Sequence, residues 1–400
     1  MTADRSPAAD VLLAQIERAC ALSVLGRDEE LITALREALA DDAAAGSADT
    51  AVLRALALTV IAQSLVRQGH FAEAIQTYAS APCDLDGPGH IEVRTRILLG
   101  MGLAYAHQCM PEQALRMGDA ALRLALAHEM TTLAAAALEC VGVCHALQDD
   151  LTHADQLMHE SLGLALQTGD ETVVHRCLNN LLFLSQTIFD AYRQQGDADN
   201  ARVALSRCAR FAARGDRLSP RVGVYERCLW RSNRAGWQLR RGNPEEARAE
   251  FTEVEREAQV RGWPKLVCFA QLSLATLHHE KGEDAEALTV LDGVLSAGPA
   301  INGYDLRLKA HQLAQDVLTG QGRFADAAAH RVAHRLLAEQ RAAERAQTAH
   351  VLPQFGHAVL EALAEADRVR IRGEVDELRR QQIEASNAAF LSTDWSSAPG

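Results

Sequence analysis

Small, bulky and turn-forming residues recur along this 400-residue chain with a long, regular period. The turn position falls at Gly69, Cys109, Asp149, Gly196, Gly242, Gly282 and Gly322, at intervals of 40, 40, 47, 46, 40 and 40 residues. Seven positions before each turn stand Ala62, Gly102, Gly142, Phe189, Ala235, Ala275 and Gln315. Five positions after it stand Ala74, Ala114, Ala154, Ala201, Ala247, Ala287 and Ala327, an alanine in every unit. Four further on come Tyr78, Gly118, Met158, Leu205, Phe251, Leu291 and Arg331, mostly bulky.

Offsets of this kind on either side of a turn describe two antiparallel helices per unit. The small residues let two backbones approach, and the bulky ones fill the space left between neighbours. Aromatic residues make up only 4% of the chain. Alanine and leucine are abundant, which favours helices over strands. A degenerate unit opens the chain: Val11 to Leu25, a turn at Gly26-Arg27-Asp28, then Glu30 to Leu39, with Leu31 at the alanine position. It is expected to act as an N-terminal cap.

The segments GMGLAYAHQCMPEQALRMGDAAL (Gly100 to Leu122) and LATLHHEKGEDAEALTVLDGVL (Leu274 to Leu295) carry the pattern most clearly. In them the chain resembles the tetratricopeptide repeat (TPR), in a form longer than the family's usual period of about 34 residues. The resemblance covers about residues 10–340. It implies an all-α fold, a right-handed TPR superhelix (α-solenoid) of about seven to eight helix pairs, whose first helices line a concave face. The expected organisation is an array over 1–345, with its cap at 10–45.

After the array the composition changes. Residues 346–390 are charged, with a break at Pro353 and Gly356. An imperfect apolar seam follows, through Val359, Leu363, Ala366, Val375, Leu378 and Ile383. Such a helix either pairs with a second copy, giving a homodimer, or folds back as a cap. The tail, 391–400, is small and polar and is expected to be disordered. Repeats of this period followed by such a helix also resemble the sensor half of bacterial GGDEF-class diguanylate cyclases. Asn387, Thr393 and Asp394 stand where that family approaches its catalytic domain. No GGDEF-like motif occurs, so the resemblance does not extend to cyclase activity.

The net charge of −13 argues against a general nucleic-acid binder or an anionic-membrane binder. No apolar stretch is long enough to span a membrane, and no targeting signal is evident at the start. The nine cysteines have no repeating spacing and read as reduced core residues of a cytoplasmic protein. Charge is uneven, however. Residues 201–241 hold eleven arginines against Asp216 and Glu226. Arginine suits bidentate recognition of carboxylate or phosphate, so an acidic peptide in the groove is one expectation. Pairing of these arginines with acidic neighbours elsewhere in the array is the other.

Counting back from each turn, the TPR resemblance places concave-face residues at Gln186, Asp190 and Arg193 in the fourth unit. It places Asn233 and Arg240 in the fifth and His279 in the sixth. With the basic residues Arg227, Arg231 and Arg234, these form the candidate groove. Asn233 suits a peptide backbone, because its amide both donates and accepts. Cys140, Cys144 and His145, and the pair His330 and His334, offer metal ligands without an identifiable third or fourth. No metal, cofactor or catalytic residue is expected. No phosphate-loop, nucleophile-elbow or zinc-peptidase motif occurs. The expected function is therefore a non-catalytic scaffold in bacterial signalling that binds a protein or peptide partner. The alternative is a small-ligand or peptide sensor that signals through the C-terminal helix.

Overall fold

A computed structural model describes residues 7–45, 50–81, 88–108, 110–301 and 304–348. These residues all belong to the compact unit that ends at Pro353. Among them the chain forms sixteen α-helices, with a short 3-10 turn at Ser219–Arg221, and no strand. The helices pair in sequence. The cap is α1 (Pro7–Val24) with α2 (Asp28–Ala45). There follow α3 (Ala51–Arg67) with α4 (Phe71–Ala79), α5 (Pro88–His107) with α6 (Pro111–Ala127), and α7 (Thr131–Leu147) with α8 (Leu151–Thr168). The second half has α9 (Glu171–Gln194) with α10 (Ala198–Leu218), α11 (Val224–Arg240) with α12 (Pro244–Val260), α13 (Pro264–Glu280) with α14 (Asp284–Ile301), and α15 (Tyr304–Gly320) with α16 (Phe324–Thr348). The expected linker helix, beyond Thr348, and the disordered tail lie outside the described residues, as do the seam proposed for dimerisation and Asn387, Thr393 and Asp394.

Tight left-handed turns join the two helices of a pair, with positive φ at Gly69, Gly196, Gly242, Gly282 and Gly322 and at Asp149. The alanines five residues on from the turns are buried in each of the seven pairs after the cap, from 0% exposed at Ala74 to 5% at Ala327. An alanine there seats the second helix close against the first, and each pair then buries its remaining apolar face against the next.

The long intervals of the sequence pattern are explained by α9 and α10, which run to 24 and 21 residues. They share one core cluster with α7, α8 and α11. Trp230 of α11 is buried over Gly215 of α10, where a Cβ would overlap the indole. Its Nε1 donates to Asp216 at 2.8 Å. Trp237, one further heptad along α11, is buried in the same cluster.

The array winds far enough for its beginning to meet its middle. Asp28, at the start of α2, is fully buried and accepts a hydrogen bond from Trp263 Nε1 at 2.9 Å. It is also ion-paired with Arg67, at the end of α3. Arg67 lies 5.8 Å from the centroid of the Tyr225 ring. Tyr225 in turn packs edge-on against Trp263, with centroids 4.9 Å apart. Arg261 donates to the carbonyl of Leu25, and Lys265 Nζ to His107 Nδ1 at 3.1 Å. Burial, helped by the Lys265 charge, holds the His107 pKa well below the ordinary value, so the ring accepts as a neutral imidazole. The turn between α1 and α2 and the ends of α3 and α5 thus seat on the starts of α11 and α13.

Candidate functional site

The first helices of successive pairs, α7, α9 and α11, carry a connected polar seam. Glu139 of α7 accepts from Arg176 Nε at 2.6 Å and from Asn180 Nδ2 at 2.7 Å, both on α9. Asn233 of α11 donates to Asn179 Oδ1 at 2.9 Å. Gln186 Nε2 donates to the backbone carbonyl of Asn233 at 2.9 Å, and its Oε1 accepts from Arg240 Nη1 at 2.9 Å. Arg240 then grips Asp190 with two guanidinium nitrogens, Nε at 3.0 Å and Nη2. Glu139, Asn179, Gln186 and Asn233 are each buried. Polar groups are tolerated there because each finds a partner.

Above this buried layer α9 presents an accessible stripe. Arg176, Asn180, Phe183, Thr187 and Asp190 follow one another at helical spacings of four and three residues, on one face. The side chains of Arg176 and Asp190 are 39% and 38% exposed, and Phe183 is 47% exposed. Such exposure is unusual for a phenylalanine. Asn180 and Thr187 are half-buried. The Glu139 charge outweighs burial and raises the Arg176 pKa, so that guanidinium stays charged, with a smaller contribution from Glu226. At Arg67 burial opposes the charge, and the bonds and charge of Asp28, followed by Glu226, offset it.

Of the residues singled out from sequence, Gln186, Asp190, Asn233 and Arg240 come together in this seam. The other five do not. Arg193 is exposed at the end of α9. Arg227 donates to the Val222 carbonyl at 2.8 Å. Arg231 is half-buried, near Glu253 of α12. Arg234 is held by Glu250 of α12 and Asp216 of α10. His279 pairs with Asp284 at 2.8 Å, across the turn between α13 and α14. Much of the arginine-rich stretch is spent on neighbouring carboxylates. Arg207 pairs with Asp155 and Arg221 with Glu171, each from an earlier helix, and Arg241 stacks 4.6 Å from the centre of the Trp237 ring. Sequence reasoning missed Glu139, Arg176, Asn179 and Asn180. For the three on α9 the signal was the 47-residue interval, which lengthens that helix at its start; Glu139 of α7 carried none.

No family model matches this chain, and no curated protein sequence is detectably similar to it. Solved structures are. A Rap protein complexed with competence and sporulation factor superposes with a TM-score of 0.51 at 11% identity, covering 84% of this chain and 99% of that one. The fold is a tetratricopeptide-type α-solenoid. A tetratricopeptide repeat protein from Parabacteroides merdae aligns over 77% of this chain and 98% of its own, at 16% identity and a TM-score of 0.41. The TPR domain of P58(IPK) aligns over 90% of this chain and 99% of its own, at 12% identity and a TM-score of 0.22. Among the described residues no helix is long and apolar enough to cross a membrane.

Proposed function

We propose that this protein is a non-catalytic scaffold that binds a peptide, or an extended segment of a partner protein, along the first-helix surface of α7, α9 and α11. The observation that carries this reading is the α9 stripe. It sets an exposed aromatic ring between fixed polar and charged groups, and a buried layer of amides holds those groups in place. An extended peptide needs an apolar anchor, and Phe183 supplies one. It also needs donors and acceptors for its backbone, and Asn180 and Thr187 supply both. Arg176 and Asp190, with Arg240 beside it, offer both signs of charge, so the ligand is expected to be amphoteric rather than uniformly acidic. Asn233, Asn179 and Gln186 act beneath the surface as positioning residues. The fold shared with the Rap protein, itself solved with a bound factor, is compatible with this use of a solenoid. A regulatory role in bacterial signalling, as the GGDEF-sensor resemblance of the C-terminal residues implies, belongs to the same proposal, as does a cytoplasmic location.

A peptide-display selection on the folded protein tests it. Selected peptides are expected to lose at least tenfold in affinity on Phe183→Ala and on Asn180→Ala, and to keep it on Arg202→Ala, an exposed arginine of α10. Equal affinity for all three variants would refute the site.

A further inference from the structure

The turn between α7 and α8 gathers two imidazoles on one carboxylate. His145, in the last turn of α7, has its Nδ1 at 2.9 Å from Asp150 Oδ2. His153, in the first turn of α8, has its Nδ1 at 2.9 Å from the same oxygen and 3.0 Å from Oδ1. The three ligand atoms all lie within 4.8 Å of one another. Asp150 also caps α8, accepting from the backbone N–H of His153. A histidine paired with an acid five residues on recurs in the sixth unit, as His278 with Glu283 and His279 with Asp284. In those pairs one imidazole faces one carboxylate. The third unit adds His153, and with it a set of two nitrogens and one oxygen.

We propose that His145, Asp150 and His153 form a binding site for Zn2+ or a similar divalent transition ion. Two histidines and a carboxylate are a donor set that zinc accepts, with bonds of about 2.0–2.2 Å, and three protein ligands leave a position for water. A modest spreading of the present contacts would admit the ion. His145 is fully buried, whereas His153 and Asp150 remain partly exposed and give the ion a path in. The ion would tie the end of α7 to the start of α8, next to Asp149, whose carboxylate pairs with Arg341 of α16 at 3.5 Å.

The experiment uses tag-free, metal-stripped protein titrated with Zn2+ by calorimetry. Bound zinc is counted by elemental mass spectrometry, and Co2+ serves as a visible-absorbance probe of coordination. One equivalent of zinc is expected, with a raised melting temperature. Asp150→Asn keeps a good helix cap while removing the charge. It and His153→Ala are each expected to weaken zinc at least tenfold, with circular dichroism unchanged. Zinc binding that survives both substitutions would overturn the site. So would binding lost instead on His330→Ala, which removes the imidazole facing His311 at 3.0 Å, or a folded wild-type protein that takes up no zinc.

Discussion

Trp263 donates its indole N–H to the carboxylate of Asp28 at 2.9 Å, across 235 residues of sequence. A solenoid whose units touch only their neighbours would have no such bond. It couples the cap to the sixth unit, and Arg67 completes it by occupying the same buried carboxylate. Asp28→Ala would leave the Arg67 charge buried and unpaired, a loss of about 3–5 kcal/mol. Trp263→Phe removes the hydrogen bond and trims the buried indole to a phenyl ring, a loss of about 1–3 kcal/mol from the bond and the space left behind. Urea unfolding should rank the two in that order, and equal losses would mean that the ion pair adds nothing.

Gly26 provides an independent check on the same contact. It has a φ of +68°, and a Cβ there would lie 2.8 Å from the Trp263 ring. Gly196 has a φ of +75° with nothing within 4 Å of its Cβ position. Both alanine substitutions carry the left-handed backbone penalty, about 1–2 kcal/mol. Gly26→Ala should cost visibly more and shift tryptophan fluorescence to the red, whereas Gly196→Ala should leave the emission unchanged. Matching stabilities would contradict the docking of the α1–α2 turn.

His175 predicts an acid limb in stability. It is buried against Trp230, with ring centroids 5.1 Å apart, and neither ring nitrogen has a partner. Burial, partly opposed by the Asp216 charge, brings its pKa down to about 4 from 6.5. The unfolded chain therefore binds a proton that the native chain refuses. The stability from keeping His175 neutral is present above pH 6.5 and is lost as the pH falls through the window from 6.5 to about 4. The full loss is on the order of 3 kcal/mol. His175→Phe keeps a ring against Trp230 and should flatten this limb in melting temperatures taken across that range. An unchanged pH slope would show that other groups carry it.

The sequence made the repeats legible because their determinants are local. A left-handed turn selects glycine, and an alanine five residues later permits close packing, so Gly242 and Ala247 announce a hairpin by themselves. The start of α9 was hidden for the opposite reason. Register counted back from Gly196 with the usual helix length stops near Phe183, while α9 begins at Glu171. Arg176, Asn179 and Asn180 occupy the turns so omitted. The partners of the arginines were equally out of reach. Arg207 finds Asp155 and Arg221 finds Glu171 only once adjacent pairs have stacked. Nothing periodic marks Asp28 and Trp263 as neighbours.

The most direct test of the central claim, that a ligand lies along the first helices of the third to fifth pairs, is photo-crosslinking. A display-selected peptide carrying a photoreactive residue at each position in turn is irradiated on the folded protein, and the adducts are mapped by mass spectrometry. Adducts are expected on α7, α9 and α11, concentrated between Arg176 and Asp190 and at Arg240. Adducts confined to the second helices α8, α10 and α12, or to the cap helices α1 and α2, would contradict it.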